Sequence, residues 1–174
     1  MNEALKNIFT RKSVRRFTTE KVEQEKINNI LKAAMAAPSA VNRQPWDFIV
    51  IDDVQVLKNL SKVLPFAKMT SKAPLAIVVC GNLKKALPGS AKQYWVQDCS
   101  SASTNILLAA HAQGLGAVWT GVYNSESKIK ALTNILELPD HIVPLNVIPI
   151  GYPKAINDKE NTRYQEKNIH VNKW

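Results

Sequence analysis

Cysteine is scarce in this sequence, and long apolar runs are missing. Cys80 and Cys99, the only two cysteines, lie among apolar residues, so we expect buried free thiols and neither a disulfide nor a metal site. The three histidines are scattered and fit no metal-ligand spacing. The best apolar run, 75–80, is far shorter than the roughly 20 residues of a membrane helix. Because the first residues also lack the apolar core of a signal peptide, we expect a cytoplasmic protein with no membrane partner.

Acidic residues are outnumbered, since 14 aspartates and glutamates stand against 23 lysines and arginines, for a formal net charge of +9. This charge attracts anions of every kind, including nucleic acids and phosphorylated cofactors. The sequence has no zinc-finger spacing, no RNP-like aromatic motif and no basic helix with heptads, so a nucleic-acid module is a minor alternative. A length of 174 residues suits one sizeable core, and we expect a single domain over 1–174.

Four cations and a hydroxyl are crowded into the segment 11–16, which reads R-K-S-V-R-R. In an extended chain the side chains alternate, so Arg11, Ser13 and Arg15 would face one way. Two guanidiniums that flank a hydroxyl can donate paired hydrogen bonds to phosphate oxygens. The pattern therefore predicts a clamp for a phosphate monoester. The alternative is a solvated basic loop, because short basic runs are common.

A second polar segment, 38–45, has a proline at each end and small polar residues between them. Prolines restrict the backbone, so we expect this loop to be pre-formed. Ser39, Asn42 and Gln44 offer neutral donors and acceptors, which suit an uncharged polar part of a ligand. The alternative is a proline-bounded capping loop without a ligand.

Hydrophobic periodicity predicts the order of helices and strands. Five segments with apolar residues at helical spacing are predicted helices: 2–9, 23–37, 57–64, 93–113 and 125–138. Four apolar, β-branched segments are predicted strands: 46–51, 75–80, 117–119 and 142–150. The continuous run 75–80 indicates a strand buried on both faces. Pro144 and Pro149 place the last strand at a sheet edge or give it a bulge.

The glycines at 114, 116 and 121 match neither common nucleotide motif. They do not fit G-x-G-x-x-G, they follow a helix instead of a strand, and Val122-Tyr123 replaces the Lys-Ser/Thr of a P-loop. What remains is a glycine turn at Thr120-Gly121, where a flat ring could approach the backbone closely. A simple structural turn is the alternative.

Taken in order, the motifs resemble those of the nitroreductase family of FMN-dependent oxidoreductases. They are R-K-S-V-R-R-F at 11–17, A-P-S-A-V-N-R-Q-P-W at 37–46, G-L-G-A-V-W-T-G-V-Y at 114–123, V-I-P-I-G-Y-P at 147–153, and Arg163. Each motif alone is moderately specific. Their order and spacing, over nearly the whole chain, make the resemblance strong.

The resemblance implies an α+β, nitroreductase-like fold, with a central, mostly antiparallel β-sheet flanked by helices in α/β/α layers. It also implies an intertwined homodimer with FMN at the interface. The polar, basic tail 154–174 ends in Trp174, and we expect this tail to dock on the partner subunit. The chain has no large excursion between 75–80 and 93–113, so its pocket should be more open than in larger relatives.

The resemblance also assigns the cofactor-binding residues, and it implies no metal. The phosphate of FMN would be bound by Arg11, Ser13, Arg15 and Arg163, with Lys12 nearby. The second subunit would contact the flavin through the loop residues Pro38, Ser39, Ala40, Asn42 and Gln44. The backbone of Thr120 and Gly121 would lie near flavin N5, where an N–H donor favours the reduced, anionic flavin.

No nucleophile–base pair or acid pair with a recognisable signature is present, so we expect a cofactor to carry the reaction. By resemblance, tightly bound FMN is reduced by NAD(P)H and then reduces a nitroaromatic, quinone or similar small-molecule acceptor, with ping-pong kinetics. One alternative is a non-catalytic FMN-binding or storage protein. Another is a family relative with a different outcome, such as reductive dehalogenation or flavin fragmentation.

Overall fold

The computed structural model describes residues 1–156 and 159–174, which form five α-helices and five β-strands. The helices are α1 (Glu3–Thr10), α2 (Gln24–Met35), α3 (Val54–Val63), α4 (Tyr94–Ala112) and α5 (Glu126–Leu136). The strands are β1 (Trp46–Ile51), β2 (Leu75–Asn82), β3 (Gly116–Ala117), β4 (Thr120–Gly121) and β5 (Ile142–Gly151). Short 3-10 helices lie at Lys68–Lys72, Gly89–Gln93 and Glu166–Asn168, and Ala40–Asn42 forms a turn with non-helical backbone. The predicted helices are confirmed with small shifts at their ends.

The strands form one antiparallel sheet in the order β1-β2-β5-β3, and β4 also pairs with β5. Every residue of β2 is buried, and its side chains alternate between two cores. Leu75, Ile77 and Val79 pack with residues of α2 and α4, whereas Ala76 and Val78 pack with residues of α3 and α5. Helices therefore cover both faces of the sheet. The predicted α+β fold, with an antiparallel sheet between helical layers, is confirmed.

Strand β5 lies inside the sheet although it contains two prolines. Its pairing with β2 shifts by one residue, from Val79 opposite Asn146 to Cys80 opposite Pro144. Leu145 is the extra residue of this bulge, which lets the strand accommodate a proline that has no N–H to donate. The sequence predicted either an edge position or a bulge for this strand, and the structure shows the bulge.

The predicted strand 117–119 is wrong in its extent. The chain instead makes two short strands, β3 and β4, on either side of Val118 and Trp119. Both keep the same register against β5, in which Val118 stands opposite Pro149. Because Pro149 has no N–H, the ladder loses a hydrogen bond at that point and the strand is interrupted.

Both cysteines are buried and unpaired, as expected. Burial raises the pKa of the Cys80 thiol to about 12, and burial likewise raises the pKa of Cys99. Among residues 1–156 and 159–174, no cluster of histidine, cysteine, aspartate and glutamate could hold a metal ion. Within the same ranges, no helix has the length and apolar character needed to cross a membrane.

Candidate functional site

The basic segment 11–16 is extended and is attached to the sheet, as the alternation argument requires. Ser13 forms an isolated parallel bridge with Ala117, and the N–H of Val14 donates to the carbonyl of Ala117 at 3.0 Å. Beyond the segment, Phe17 forms an antiparallel bridge with Pro153. These main-chain contacts fix the segment beside the turn that leads to Gly121.

The side chains of the segment line several different cavities. Arg15 lines a cavity of about 250 Å³ together with Thr120 and Gly121, which we call the turn cavity. Lys12 and Val14 line a separate cavity of about 160 Å³. The structure thus brings Arg15 to the glycine turn and Lys12 to another cavity, but Arg15 and Arg16, which alternation predicts on opposite sides, both line one further cavity.

Arg11 and Arg163 lie close together although 151 residues separate them in the chain. Burial lowers the pKa of Arg11, and the nearby positive charge of Arg163 lowers this pKa further. The Nη1 atom of Arg11 is buried and has no hydrogen-bond partner among the described residues. Two cations that interact electrostatically, together with this buried N–H, favour the binding of an anion here.

Asn161 holds the tail in this place. Its side-chain amide donates to the carbonyls of Phe9 and Arg11, each at 2.9 Å, and its main-chain N–H also donates to Phe9 at 2.9 Å. Sequence reasoning identified Arg163 through the resemblance but missed Asn161. No periodic or motif signal marks an asparagine that binds a backbone so far away in sequence.

The glycine turn presents open backbone to the turn cavity. A Cβ added to Gly121 would meet nothing within 4 Å. The hydroxyl of Thr120 donates to the carbonyl of Val147 at 2.6 Å, so it points into the sheet, and only the backbone of Thr120 remains for a ligand. Lys128 lines the same cavity and donates to the carbonyl of Gly121 at 3.4 Å. The remaining wall is largely apolar and includes residues 64–67, Val118 and Trp119.

Strained backbone accompanies the prolines of the loop 38–45. Val41, Asn42 and Gln44 have φ angles of 51°, 54° and 50°, in the left-handed region that non-glycine residues rarely adopt. Val41 is β-branched and 82% exposed. Its own packing therefore does not stabilise this conformation, and strain of this kind is concentrated at functional sites.

Hydrogen bonds hold the strained loop in shape. The N–H of Ala40 donates to the carboxylate of buried Asp98 at 2.8 Å, and the N–H of Gln44 donates to the hydroxyl of Ser39 at 2.9 Å. The side-chain amide of Gln44 donates to the side-chain carbonyl of Asn42 at 2.9 Å. Asp98 was missed in the sequence, although an acid within the apolar face of α4 could have been noticed.

Within a single chain, the loop and the glycine turn do not form one site. None of residues 38–45 lines the turn cavity. Gln44 instead lines a different cavity of about 420 Å³ with Trp46 and Lys85. The structure therefore assembles two of the three predicted parts, the basic segment and the glycine turn, and leaves Pro38, Ser39, Ala40, Asn42 and Gln44 apart from them.

The family model of the nitroreductase family matches residues 8–68 and 61–152. This chain belongs to the nitroreductase family. The match includes the basic segment, the loop 38–45 and the glycine turn of this nitroreductase-family protein, and Arg163 lies beyond it.

Individual relatives agree in length as well as in sequence. A protein of Methanothermobacter thermautotrophicus, named "Putative NADH dehydrogenase/NAD(P)H nitroreductase", is 45% identical over 99% of this chain and 88% of its own length. A protein with the same name from Parabacteroides distasonis is 45% identical to this chain. Its crystal structure matches this chain over the full length of both, with a TM-score of 0.94. An FMN-dependent nitroreductase of Clostridium difficile is 33% identical, also with full coverage, and has a TM-score of 0.88.

Proposed function

We propose that this member of the nitroreductase family is an FMN-dependent oxidoreductase, reduced by NAD(P)H, that reduces a small acceptor such as a nitroaromatic or a quinone. One observation carries the proposal: a buried N–H of Arg11 has no partner among residues 1–156 and 159–174 and lies near Arg163, and the extended segment that follows runs past the open backbone of Gly121. The FMN dependence named for the Clostridium difficile relative supports the same cofactor here.

The residues fit FMN from its phosphate to its ring. Arg11 and Arg163 would bind the phosphate, and the exposed Ser13 would contact the phosphate or the ribityl chain. Four extended residues span about 13 Å, so Arg15 lies at the far end of the segment, where it lines the turn cavity. Lys12 lines another cavity, so we assign it only a contribution of charge.

The chain itself would bind and orient the cofactor and its substrates. Bound FMN supplies the hydride and electron transfer. The backbone of Thr120 and Gly121 would face flavin N5, and the apolar wall of the turn cavity would limit water there. Because NAD(P)H and the acceptor would use the same open face in turn, we expect ping-pong kinetics.

A homodimer would bring the third part of the site into place. The loop 38–45 lies away from the turn cavity, so its flavin contacts would have to come from a second copy. Uncovered apolar side chains support such an association: α1 exposes Leu5, Ile8 and Phe9, and the tail exposes Ile169, Val171 and Trp174. These residues would be buried by the partner, which matches the expected docking of the tail.

The purified protein tests this proposal directly. We expect a yellow protein whose mass in solution is twice 19.4 kDa, and whose flavin is bleached by NADPH or NADH under anaerobic mixing and recoloured by a quinone or nitroaromatic. Retained FMN that neither nucleotide bleaches would indicate the storage alternative. A colourless monomer that ignores added FMN would contradict both the cofactor and the dimer.

A further inference from the structure

A second cavity, of about 500 Å³, adjoins the turn cavity and shares Arg15 with it. We call it the basic cavity. Its lining consists of five cations and two apolar side chains: Arg15, Arg16, Phe17, Lys68, Met69, Lys72 and Lys154. Among residues 1–156 and 159–174, no acidic side chain lines it, so this lining attracts anions.

Main-chain contacts bring these cations together from distant parts of the chain. Phe17 is buried and bridges to Pro153, and the N–H of Lys154 donates to the carbonyl of Arg16 at 3.0 Å. Arg16 and Lys154 are thus carried on adjacent, paired backbone. Lys68 and Lys72 begin and end a 3-10 helix that packs against α3.

No ion pair between described residues neutralises the basic cavity. Within residues 1–156 and 159–174, the ion pairs are Lys26 with Glu23 and Lys85 with Asp47, and neither involves a cation of this cavity. The phosphate of FMN already has Arg11 and Arg163, which do not line this cavity. The additional cations therefore exceed what the flavin phosphate requires.

We propose that the basic cavity binds the phosphates of the hydride donor and makes NADPH a better donor than NADH. This inference rests on the proposed function. The shared Arg15 connects the cavity to the place where the nicotinamide would meet the flavin, so one dinucleotide could extend from one cavity into the other. NADPH carries a phosphate monoester that NADH lacks, and the five clustered cations favour the more anionic donor.

The test compares the two donors on a double variant, Lys72→Gln with Lys154→Gln, prepared as the FMN-loaded protein. We expect KM for NADPH to rise about tenfold, KM for NADH to rise less, and kcat to stay unchanged, because we expect these phosphate contacts to be equally strong in the bound substrate and the transition state. Lys32→Gln, an exposed lysine on α2 outside the cavity lining, is the matched control and should change neither KM.

Two further measurements distinguish weaker donor binding from a damaged fold. Adenosine 2′,5′-bisphosphate should inhibit competitively against NADPH in the wild type and about tenfold more weakly in the double variant. Equal flavin content and equal melting temperature of the variant and wild type would show that the fold is intact.

Specific outcomes would overturn the inference. One is an unchanged ratio of KM values for NADPH and NADH in a variant that retains its flavin. Another is a higher KM for 4-nitrobenzoate, but not for neutral 4-nitrobenzamide, with the NADPH value unchanged, which would assign the cavity to the acceptor. Wild-type flavin that neither donor bleaches would instead contradict the proposed function itself.

Discussion

The N–H of Val14 donates to the carbonyl of Ala117 at 3.0 Å, and this bond joins the basic segment to the strand that leads to Gly121. Gly116 lies beside the same contact, and a Cβ at Gly116 would stand 2.6 Å from the side chain of Val14. The relative position of the proposed phosphate and ring contacts therefore depends on one close approach of two backbones.

Gly116→Ala should separate these backbones. Overpacking of this kind typically costs about 1–3 kcal/mol, so we expect the free energy of unfolding to fall by that amount and FMN affinity to fall with it. Gly121→Ala is the matched control for stability, because its Cβ would have open space. Urea unfolding of the FMN-free proteins measures both, and equal stability of the two variants would contradict the close-approach argument.

Arg163→Gln should weaken FMN binding without destabilising the FMN-free protein. A charge-assisted hydrogen bond is worth about 1.5–3 kcal/mol, so we expect a ten- to hundredfold loss of affinity in flavin fluorescence titration. Because Arg163 repels Arg11, its neutralisation should leave the melting temperature of the FMN-free protein equal or higher. Lys167→Gln, an exposed cation of the same tail, should leave affinity unchanged; an equal loss there would indicate a nonspecific charge effect.

Arg15→Ala should also weaken FMN binding, by roughly ten- to a hundredfold, if its guanidinium contacts the cofactor from the wall of the turn cavity. The same titration measures the change, with Lys32→Ala as the control for net charge. Unchanged affinity would remove Arg15 from the flavin site.

Asp98→Ala should loosen the loop 38–45. The N–H of Ala40 would lose its carboxylate acceptor, which we expect to cost about 1–3 kcal/mol and to speed amide exchange across the loop. Asp98→Asn keeps a side-chain oxygen at the same place and should preserve much more of the protection. Exchange measured by mass spectrometry distinguishes the two, and identical protection in Asp98→Ala and wild type would show that the strained loop is held by other contacts.

The buried thiol of Cys80 should make stability depend on pH above about 9. Its pKa is raised from 9.0 to about 12, so the folded protein retains a proton that the unfolded chain loses in this range. The contribution of the protonated Cys80 thiol to the free energy of unfolding is complete below pH 9 and declines as the pH rises toward 12. Cys80→Ala should therefore lose less stability than the wild type between pH 8 and pH 10.5 in urea unfolding. Parallel curves for the two proteins would contradict the shift.

Local patterns in the sequence determined the helices and most strands. Helical spacing of apolar residues marked the faces of α2 and α4, and the continuous run at 75–80 marked a strand buried on both faces, because both signals arise from near neighbours in the chain. Alternation in the segment 11–16 likewise predicted opposite directions for Arg15 and Lys12. The order and spacing of the motifs indicated the family, and no knowledge of long-range contacts was needed.

The tertiary structure alone decided how distant segments meet. It placed proline-containing β5 inside the sheet, and it split the predicted strand 117–119 where Pro149 offers no N–H. It brought Arg163 beside Arg11 through Asn161, gathered the basic cavity from three separate segments, and kept the loop 38–45 away from the turn cavity. These relations depend on backbone hydrogen bonds between residues far apart in sequence, which no local periodicity encodes.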